Sequence, residues 1–324
     1  MKILITGSNG YIGSILGTYL TSKGLDVCGI DKNVGNLFVK FKQYKCNLNN
    51  YQKLRKILKK IKPLKIIHLA GESTLDNINN KKNYVKNNVA ATKKLLKACN
   101  YHKINNIIFS STASVYKETN RKIKESFLLK PNNIYGLTKL KSEYLITKNS
   151  KSNKLNYIIF RFFNVCSSLK KIGENHNPET HLIPLAVQKY IDRKKLIIYG
   201  NNFKTKDGSC IRDYIHIQDL CNAFYKALKY LDNNNKKQVK KILNLGSNKG
   251  ISVFQIINFF NNKLKFFITK KRKGDNDILV CNNKMAFKIL KWKPINSNIS
   301  KIIKDEIRWY KFLKKKGIIR KAKY

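Results

Sequence analysis

Acidic residues are scarce in this chain. Its 324 residues hold 18 Asp and Glu against 67 Lys and Arg, a formal net charge of +49. Charge on this scale raises the question of nucleic acid. A nucleic-acid footprint clusters, however, and these lysines are spread along the whole chain among Asn and Ile. Runs such as ILKKIK and YKFLKKKG are short, and there is no Arg-rich arm. No specific nucleic-acid partner is expected. A drift toward Lys, Asn and Ile from an AT-rich genome is the simpler reading. Long apolar runs are also missing, so no membrane span is expected. Met1 leads straight into KILITG, which leaves no room for a signal peptide, and the cytoplasm is the expected location. Cys-x-x-Cys pairs are absent. The seven cysteines (28, 46, 99, 166, 210, 221 and 281) are scattered and odd in number. That pattern points to reduced thiols rather than a disulfide framework or a zinc site, and no metal is expected. No internal repeat is visible.

What is present is globular. Hydrophobic residues make up 42% of the chain, and its length suits one large α/β domain or a nucleotide domain with a smaller one. The apolar run 2–6 reads as a strand, and GSNGYIG follows it with Gly7, Gly10 and Gly13 at a G-x-x-G-x-x-G spacing. IGSILGTYLTSKG then reads as a helix stopped at Gly24. Strand, glycine turn and helix together form a dinucleotide-binding context, in which the backbone approaches a pyrophosphate at the helix N-terminus. Taken alone, the glycines are also compatible with a plain tight turn. The next strand, LDVCGID, ends in Asp31, about where a carboxylate grips a ribose 2′-hydroxyl. A carboxylate there repels a 2′-phosphate and favours NAD over NADP.

Further along, 50–61 reads as a helix, 64–71 as a strand, 83–100 as a helix, 105–116 as a strand and 156–165 as a fifth strand. This alternation predicts a doubly wound parallel α/β sheet. After Asn164 the rhythm changes. The stretch 165–210 is loop-rich, with a helix near 181–192 and a short strand LIIYG; RDYIHIQDL, KILNLGS, SVFQIINFF and a helix near 299–315 come later. The expected division is a nucleotide domain over 1–165 and a smaller substrate lobe over 166–324, with some elements returning to the first.

Tyr135 and Lys139 lie four residues apart in PNNIYGLTKLKSEYLI. On a helix that spacing stacks both side chains on one face, and an ammonium one turn from a phenol stabilises the phenolate. The pair is a candidate acid/base. Pro131 and the asparagines before Ile134 mark the helix start.

With these motifs in place, the chain resembles the extended short-chain dehydrogenase/reductase family, and within it the epimerases that act on UDP-sugars. The resemblance covers nearly the whole chain. GSNGYIG, IHLAG, NYVKNNVAAT, SSTASVY and Tyr135-x-x-x-Lys139 carry it to the superfamily. RFFNV, HLIP, IYGNNFKTKDGSCIRDYIHIQDL, NLGSNKGISV and RKGD ahead of LKWKP carry it to the epimerases. It implies an enzyme that interconverts UDP-glucose and UDP-galactose. Tyr135 would take a proton from the sugar 4-hydroxyl, Lys139 would lower the tyrosine pKa and hold the nicotinamide ribose, and Thr112 would hydrogen-bond the 4-oxygen. Hydride would pass to tightly bound NAD and return to the other face of a rotated 4-keto sugar. The resemblance puts Gly7, Gly10, Tyr11, Ile12, Gly13, Asp31, Asn47, Leu48, Leu69, Ala70, Gly71, Asn88 and Phe163, besides Tyr135 and Lys139, on the cofactor. It puts Asn164, Leu182, Tyr199, Arg212, Arg272, Asp275 and Leu279, besides Thr112 and Tyr135, on the UDP-sugar. A homodimer is implied too.

Some positions depart from the family pattern. Asn47 stands where an acidic adenine contact is usual, Phe162 replaces a common Tyr, Lys117 stands where a glycine often follows Val-Tyr, and the segment after Gly71, ESTLDNINN, looks short. Leu279 is expected to bound the pocket beside the sugar's second carbon and exclude an N-acetyl group; a two-residue shift in alignment would put Cys281 there instead. His68 is expected in the core. His216 is expected to be structural, facing Asp219 or backbone, and His181 is either a loop residue or a substrate contact. Phe162–Phe163 and Phe266–Phe267 are expected in the core. Rival readings are an epimerase of UDP-N-acetylglucosamine or UDP-arabinose, a UDP-sugar decarboxylase, and a non-catalytic NAD-binding regulator.

Overall fold

The computed structural model describes residues 2–36, 38–73, 81–169, 171–176, 178–272, 274–318 and 320. By its internal packing the chain forms two compact units. One comprises 1–117, 125–162 and 223–243, and the other 118–124, 163–222 and 244–324.

The first unit is built on a seven-stranded sheet of β1 (Lys2–Thr6), β2 (Asp26–Asp31), β3 (Lys42–Lys45), β4 (Lys65–His68), β5 (Asn106–Thr112), β6 (Asn156–Phe162) and β10 (Lys240–Leu245). Their order across the sheet is β10-β6-β5-β4-β1-β2-β3. The pairings from β3 across to β6 are all parallel. Ile3, Leu4 and Ile5, with Ile66–Ile67, Ile107–Phe109 and Ile158–Phe160, are buried along successive strands. Apolar side chains on both faces are what a parallel strand covered by helices requires. The covering elements include α1 (Tyr11–Ser22), α2 (Tyr51–Ile61), α4 (Ala91–Tyr101) and α5 (Ile134–Asn153). The strand order reverses beside β1, with β2 on one side and β4 on the other, and ligands of such sheets bind at that switch point.

Three local differences from the expected elements have physical causes. The strand β3, KQYK, has no apolar alternation because it is the sheet's edge strand, so no periodicity marks it. The helix expected at 83–100 is α3 (Lys81–Tyr84), a π-helical turn at Val85–Ala90, and α4. The long strand expected at 156–165 breaks at Phe163. Its first part is β6; its second, β7 (Asn164–Cys166), pairs with β9 (Ile211–His216) in the other unit's sheet.

That second sheet runs β11-β9-β13 with β7 also on β9, where β11 is Gly250–Ser252 and β13 is Ile278–Leu279. A separate parallel pair joins β8 (Leu196–Tyr199) to β12 (Phe266–Thr269). Phe266 and Phe267 are 40% and 45% exposed, not core. A two-stranded ribbon buries too little of its own surface to hide them. Phe162 and Phe163 are buried as expected. Two tryptophans anchor this unit, each donating its indole N–H to a carbonyl: Trp292 to Asp219 at 2.9 Å and Trp309 to Glu174 at 2.8 Å. The helix α6 (Leu182–Ile191) packs with the helix Ile299–Lys315. His216 is buried and faces backbone, one of the two expected partners: its Nδ1 accepts from Gln218 N at 3.0 Å, while its Nε2 stands 3.1 Å from Oδ2 of Asp305. Asp219 is occupied elsewhere, accepting from Ile295 N, Asn296 N and the Ser297 hydroxyl. Among the described residues no helix is long and apolar enough to cross a membrane.

Candidate active site

The cofactor residues expected in the first unit gather at the carboxyl ends of β1, β2, β3 and β4. Gly7 turns the chain with φ +72°, and a Cβ on it would fall 2.7 Å from the Ala70 nitrogen. A Cβ on Gly13 would fall 2.0 Å from the Gly7 carbonyl oxygen. Only glycine permits so close an approach, and it brings Leu69–Ala70 against the turn. Gly10 is the N-cap of α1, and as a glycine it brings no capping side chain to the first turn of the helix. Tyr11 and Ile12 form that first turn. The Asp31 carboxylate accepts from Asn9 N at 2.9 Å and Asn33 N at 3.1 Å, which fixes it beside the glycine turn. Asn47 and Leu48 follow β3; the Asn47 side-chain oxygen accepts from Asn49 N, and Leu48 is buried. An uncapped helix start, a turn that admits no Cβ and an anchored carboxylate fit a dinucleotide's pyrophosphate and ribose. Residues 74–80 of the segment after Gly71 lie outside the described residues.

Asn88 sits in the π-helical turn, a form frequent at functional sites. Its amide accepts from Glu72 N at 2.6 Å and donates to the Thr138 hydroxyl at 2.9 Å. A Cβ on Gly71 would stand 2.9 Å from the Asn88 oxygen and 3.9 Å from the Lys139 ammonium. Gly71, Asn88 and Lys139 therefore meet at one point.

Tyr135 and Lys139 lie on α5, capped by Asn133, whose side chain accepts from Gly136 N at 2.8 Å. A Cβ on Gly136 would fall 2.2 Å from the Ser114 carbonyl. The glycine after Tyr135 thus lets α5 lie directly against the turn that follows β5. Thr112, the last residue of β5, hydrogen-bonds Tyr135. The three catalytic candidates are together. Their electrostatics correct one expectation: the phenol is not drawn toward neutral pH. Burial pushes Tyr135 up to about 12, partly countered by the Thr112 hydrogen bond. Burial likewise pushes Lys139 down to about 7, against the pull of Glu143. The ammonium also stands 4.4 Å from the centre of the Phe109 ring. His68 is a core residue as expected, bridging the Thr6 and Thr92 hydroxyls at 2.8 and 2.9 Å.

Sequence reasoning missed the support under Lys139. Glu143, four residues on, is buried with Arg161 of β6, whose Nη1 also donates to the Tyr116 hydroxyl at 2.9 Å. A charged residue inside the apolar run NYIIFRFF was the readable signal, since such a residue needs a buried partner.

The second unit holds the residues expected on the UDP-sugar. Asn164 donates to the Asp213 carbonyl at 3.0 Å. Arg272 donates to the Asp275 carboxylate at 3.0 Å, and its guanidinium lies 4.6 Å from the centre of the Tyr199 ring. Arg212 stands 3.9 Å from the same carboxylate and pairs in register with Leu279. Arg212, Arg272, Asp275, Tyr199 and Leu279 are thus brought together. Leu182 opens α6. Phe163 is buried in this unit and donates its N–H to the Leu245 carbonyl at 3.0 Å.

Residues 3–246 match the NAD dependent epimerase/dehydratase family. The chain belongs to that family. A UDP-glucose 4-epimerase of Halalkalibacterium halodurans is 34% identical, covering 96% of this chain and 96% of its own length. A crystal structure of a UDP-glucose 4-epimerase superposes with a TM-score of 0.90 at 33% identity, over 96% of this chain and 98% of that one. A UDP-glucose 4-epimerase of Brucella ovis, solved in complex with NAD, superposes with a TM-score of 0.89 at 28% identity, over 95% and 97%.

Proposed function

We propose that this protein interconverts UDP-glucose and UDP-galactose as an NAD-dependent 4-epimerase. The observation that carries the reading is the group of Thr112, Tyr135 and Lys139, with Lys139 beside Gly71 and Asn88. Bound NAD supplies a hydride acceptor, and then a donor, at sugar carbon 4. Its pyrophosphate would lie on Gly10–Gly13 at the start of α1, its adenosine ribose on Asp31, and its nicotinamide ribose on Lys139.

The protein's own groups manage the proton. Tyr135 takes it from the 4-hydroxyl and gives it back to the 4-oxygen, and the Thr112 hydroxyl joins the two by hydrogen bonds. A phenol held near 12 stays protonated at neutral pH when the site is bare and cannot take up a proton, so charge brought in with the ligands has to favour the phenolate. Arg212 and Arg272 suit the diphosphate, because each guanidinium can offer a two-pronged donor set. Tyr199, already under Arg272, suits the uracil ring. Anchoring the nucleotide rather than the sugar leaves the 4-keto sugar able to turn and accept hydride on its other face. Leu279 is half-buried on β13, whereas Cys281 is fully buried with its N–H on Asp213. That register supports Leu279 as the pocket wall.

The intact catalytic trio speaks against a non-catalytic regulator. The homodimer and the cytoplasmic location belong to the same reading, and sedimentation analysis tests the first. The function itself is tested by incubating purified protein with UDP-galactose and no added NAD. UDP-glucose should form; no product, even with NAD supplied, would refute the reading.

A further inference from the structure

The loop ahead of α6 carries Glu174, His176, Glu179 and His181, a Glu-x-His-x-x-Glu-x-His spacing. The fold brings one donor atom of each to within 4.8 Å of all the others. Nδ1 of His176 and Nδ1 of His181 both stand 2.8 Å from the same atom, Oε1 of Glu174. His181 Nδ1 is also 3.1 Å from Oε1 of Glu179. Both carboxylates are buried, while the histidine side chains are 41% and 56% exposed. The cluster is walled by protein on its acidic side and reachable from solvent on the other.

Protons alone leave this arrangement incomplete. A single N–H on His181 Nδ1 cannot point at two carboxylates at once. Among the described residues Oε2 of Glu174 and Oε2 of Glu179 are buried with no hydrogen-bond partner, and each belongs to a carboxylate whose Oε1 faces the histidines. Leaving such an acceptor unmet is costly, and more so when it is charged. The buried cation close by does not meet it. Arg320 donates to Glu306 at 2.8 Å and to the Glu174 main-chain carbonyl. Two carboxylates and two neutral imidazoles present a charge of minus two, which one divalent cation balances.

We propose that Glu174, His176, Glu179 and His181 bind one divalent transition-metal ion of the zinc type. Two imidazole nitrogens and two carboxylate oxygens suit zinc, and imidazole disfavours calcium and magnesium. With metal–ligand bonds of about 2.0–2.2 Å, tetrahedral donors stand roughly 3.3–3.5 Å apart. The observed N···O pairs at 2.8–3.1 Å need to open by only about half an ångström, with each Nδ1 giving up its proton. The ion would brace the loop that delivers Leu182. That consequence for the UDP-sugar rests on the proposed function, but metal binding itself does not.

The experiment uses untagged full-length protein, stripped with a chelator and titrated with zinc alone. One zinc per chain should be retained through gel filtration, with an absorption-edge spectrum showing two imidazole nitrogens and two oxygens at about 2.0–2.2 Å. Excess calcium or magnesium should leave it in place. The double variant His176→Ala/His181→Ala, which changes only the solvent-facing side, should lose it while keeping its circular dichroism. Zinc retained undiminished by that variant would overturn the proposal. So would a wild-type protein, folded by circular dichroism, that retains none, or zinc displaced by calcium. These readouts do not depend on turnover.

Discussion

Lys139 and Glu143 lie one turn apart on α5, and the Glu143 carboxylate is held at both oxygens by Arg161, Nε to Oε1 at 3.1 Å and Nη2 to Oε2 at 2.7 Å. The Ser111 hydroxyl completes the shell of Glu143. The carboxylate next to Lys139 is therefore fully engaged with an arginine, and Lys139 feels its charge without owning it.

Breaking that pair should be expensive. Arg161→Met leaves Glu143 buried and uncompensated, which typically costs about 3–5 kcal/mol. Urea denaturation should show a loss of that order, and the double variant Glu143→Gln/Arg161→Met should recover part of it. A loss below about 1 kcal/mol in the single variant would mean that Glu143 finds another partner or water.

Buried Lys139 makes stability depend on pH in a defined direction. Its value falls from an ordinary 10.5 when unfolded to about 7 when folded. Between those values the unfolded chain holds the extra proton, so the lysine's contribution becomes less unfavourable as pH rises through the window. Below about 7 the penalty is full, and above 10.5 it is gone. Cofactor-free Lys139→Met should accordingly be more stable than wild type at pH 6, with the advantage shrinking by pH 9. Equal stability differences at both pH values would place Lys139 in a wetter site than the fold gives it.

Tyr135→Phe should keep the fold and NAD binding yet lower turnover by about 10² or more, the usual scale for a lost general acid/base. Steady-state rates within a factor of two of wild type would remove Tyr135 from the mechanism.

Hydride borrowed and returned calls for NAD that stays in place. Acid denaturation of freshly purified protein should release NAD in near-equal molar amount to the chain. NADP in its place would contradict the Asp31 reading.

Leu279→Ser should raise the efficiency with UDP-N-acetylglucosamine relative to UDP-glucose, by about 10–200-fold for a steric mismatch of this kind. Wild type that already uses both sugars equally would rule out Leu279 as the gate.

Much of the nucleotide unit was legible because its signals are local. The glycines at 7, 10 and 13, the terminal Asp31 and the Tyr135/Lys139 spacing each act within a few residues of themselves. Burial was not legible. Tyr135 and Lys139 were expected to help one another, yet enclosure disfavours both charges, and no spacing reports enclosure. β3 was missed because a polar edge strand carries no alternation. The break at Phe163 lies inside an unbroken apolar run, where periodicity cannot tell one strand from two. The π-helical turn around Asn88 has no composition of its own. Phe266 and Phe267 look like core until the narrowness of their ribbon is known. The Glu174–His181 donors sit in a loop-rich stretch, where only the folded path makes four scattered residues neighbours.

The position of β10 bears on how the chain comes off the ribosome. This strand closes the seven-stranded sheet against β6, yet it is made about eighty residues after β6 ends. At about 5–20 residues per second, the bare edge of β6 waits several seconds for its neighbour. An unpaired, apolar edge is a template for the wrong strand. A nascent fragment ending near residue 165 would hold the glycines at 7, 10 and 13 together with Tyr135 and Lys139 of α5 and still lack its outer strand. Such a fragment should aggregate when released, and a chaperone that shields β6 during that interval should raise the yield of native protein.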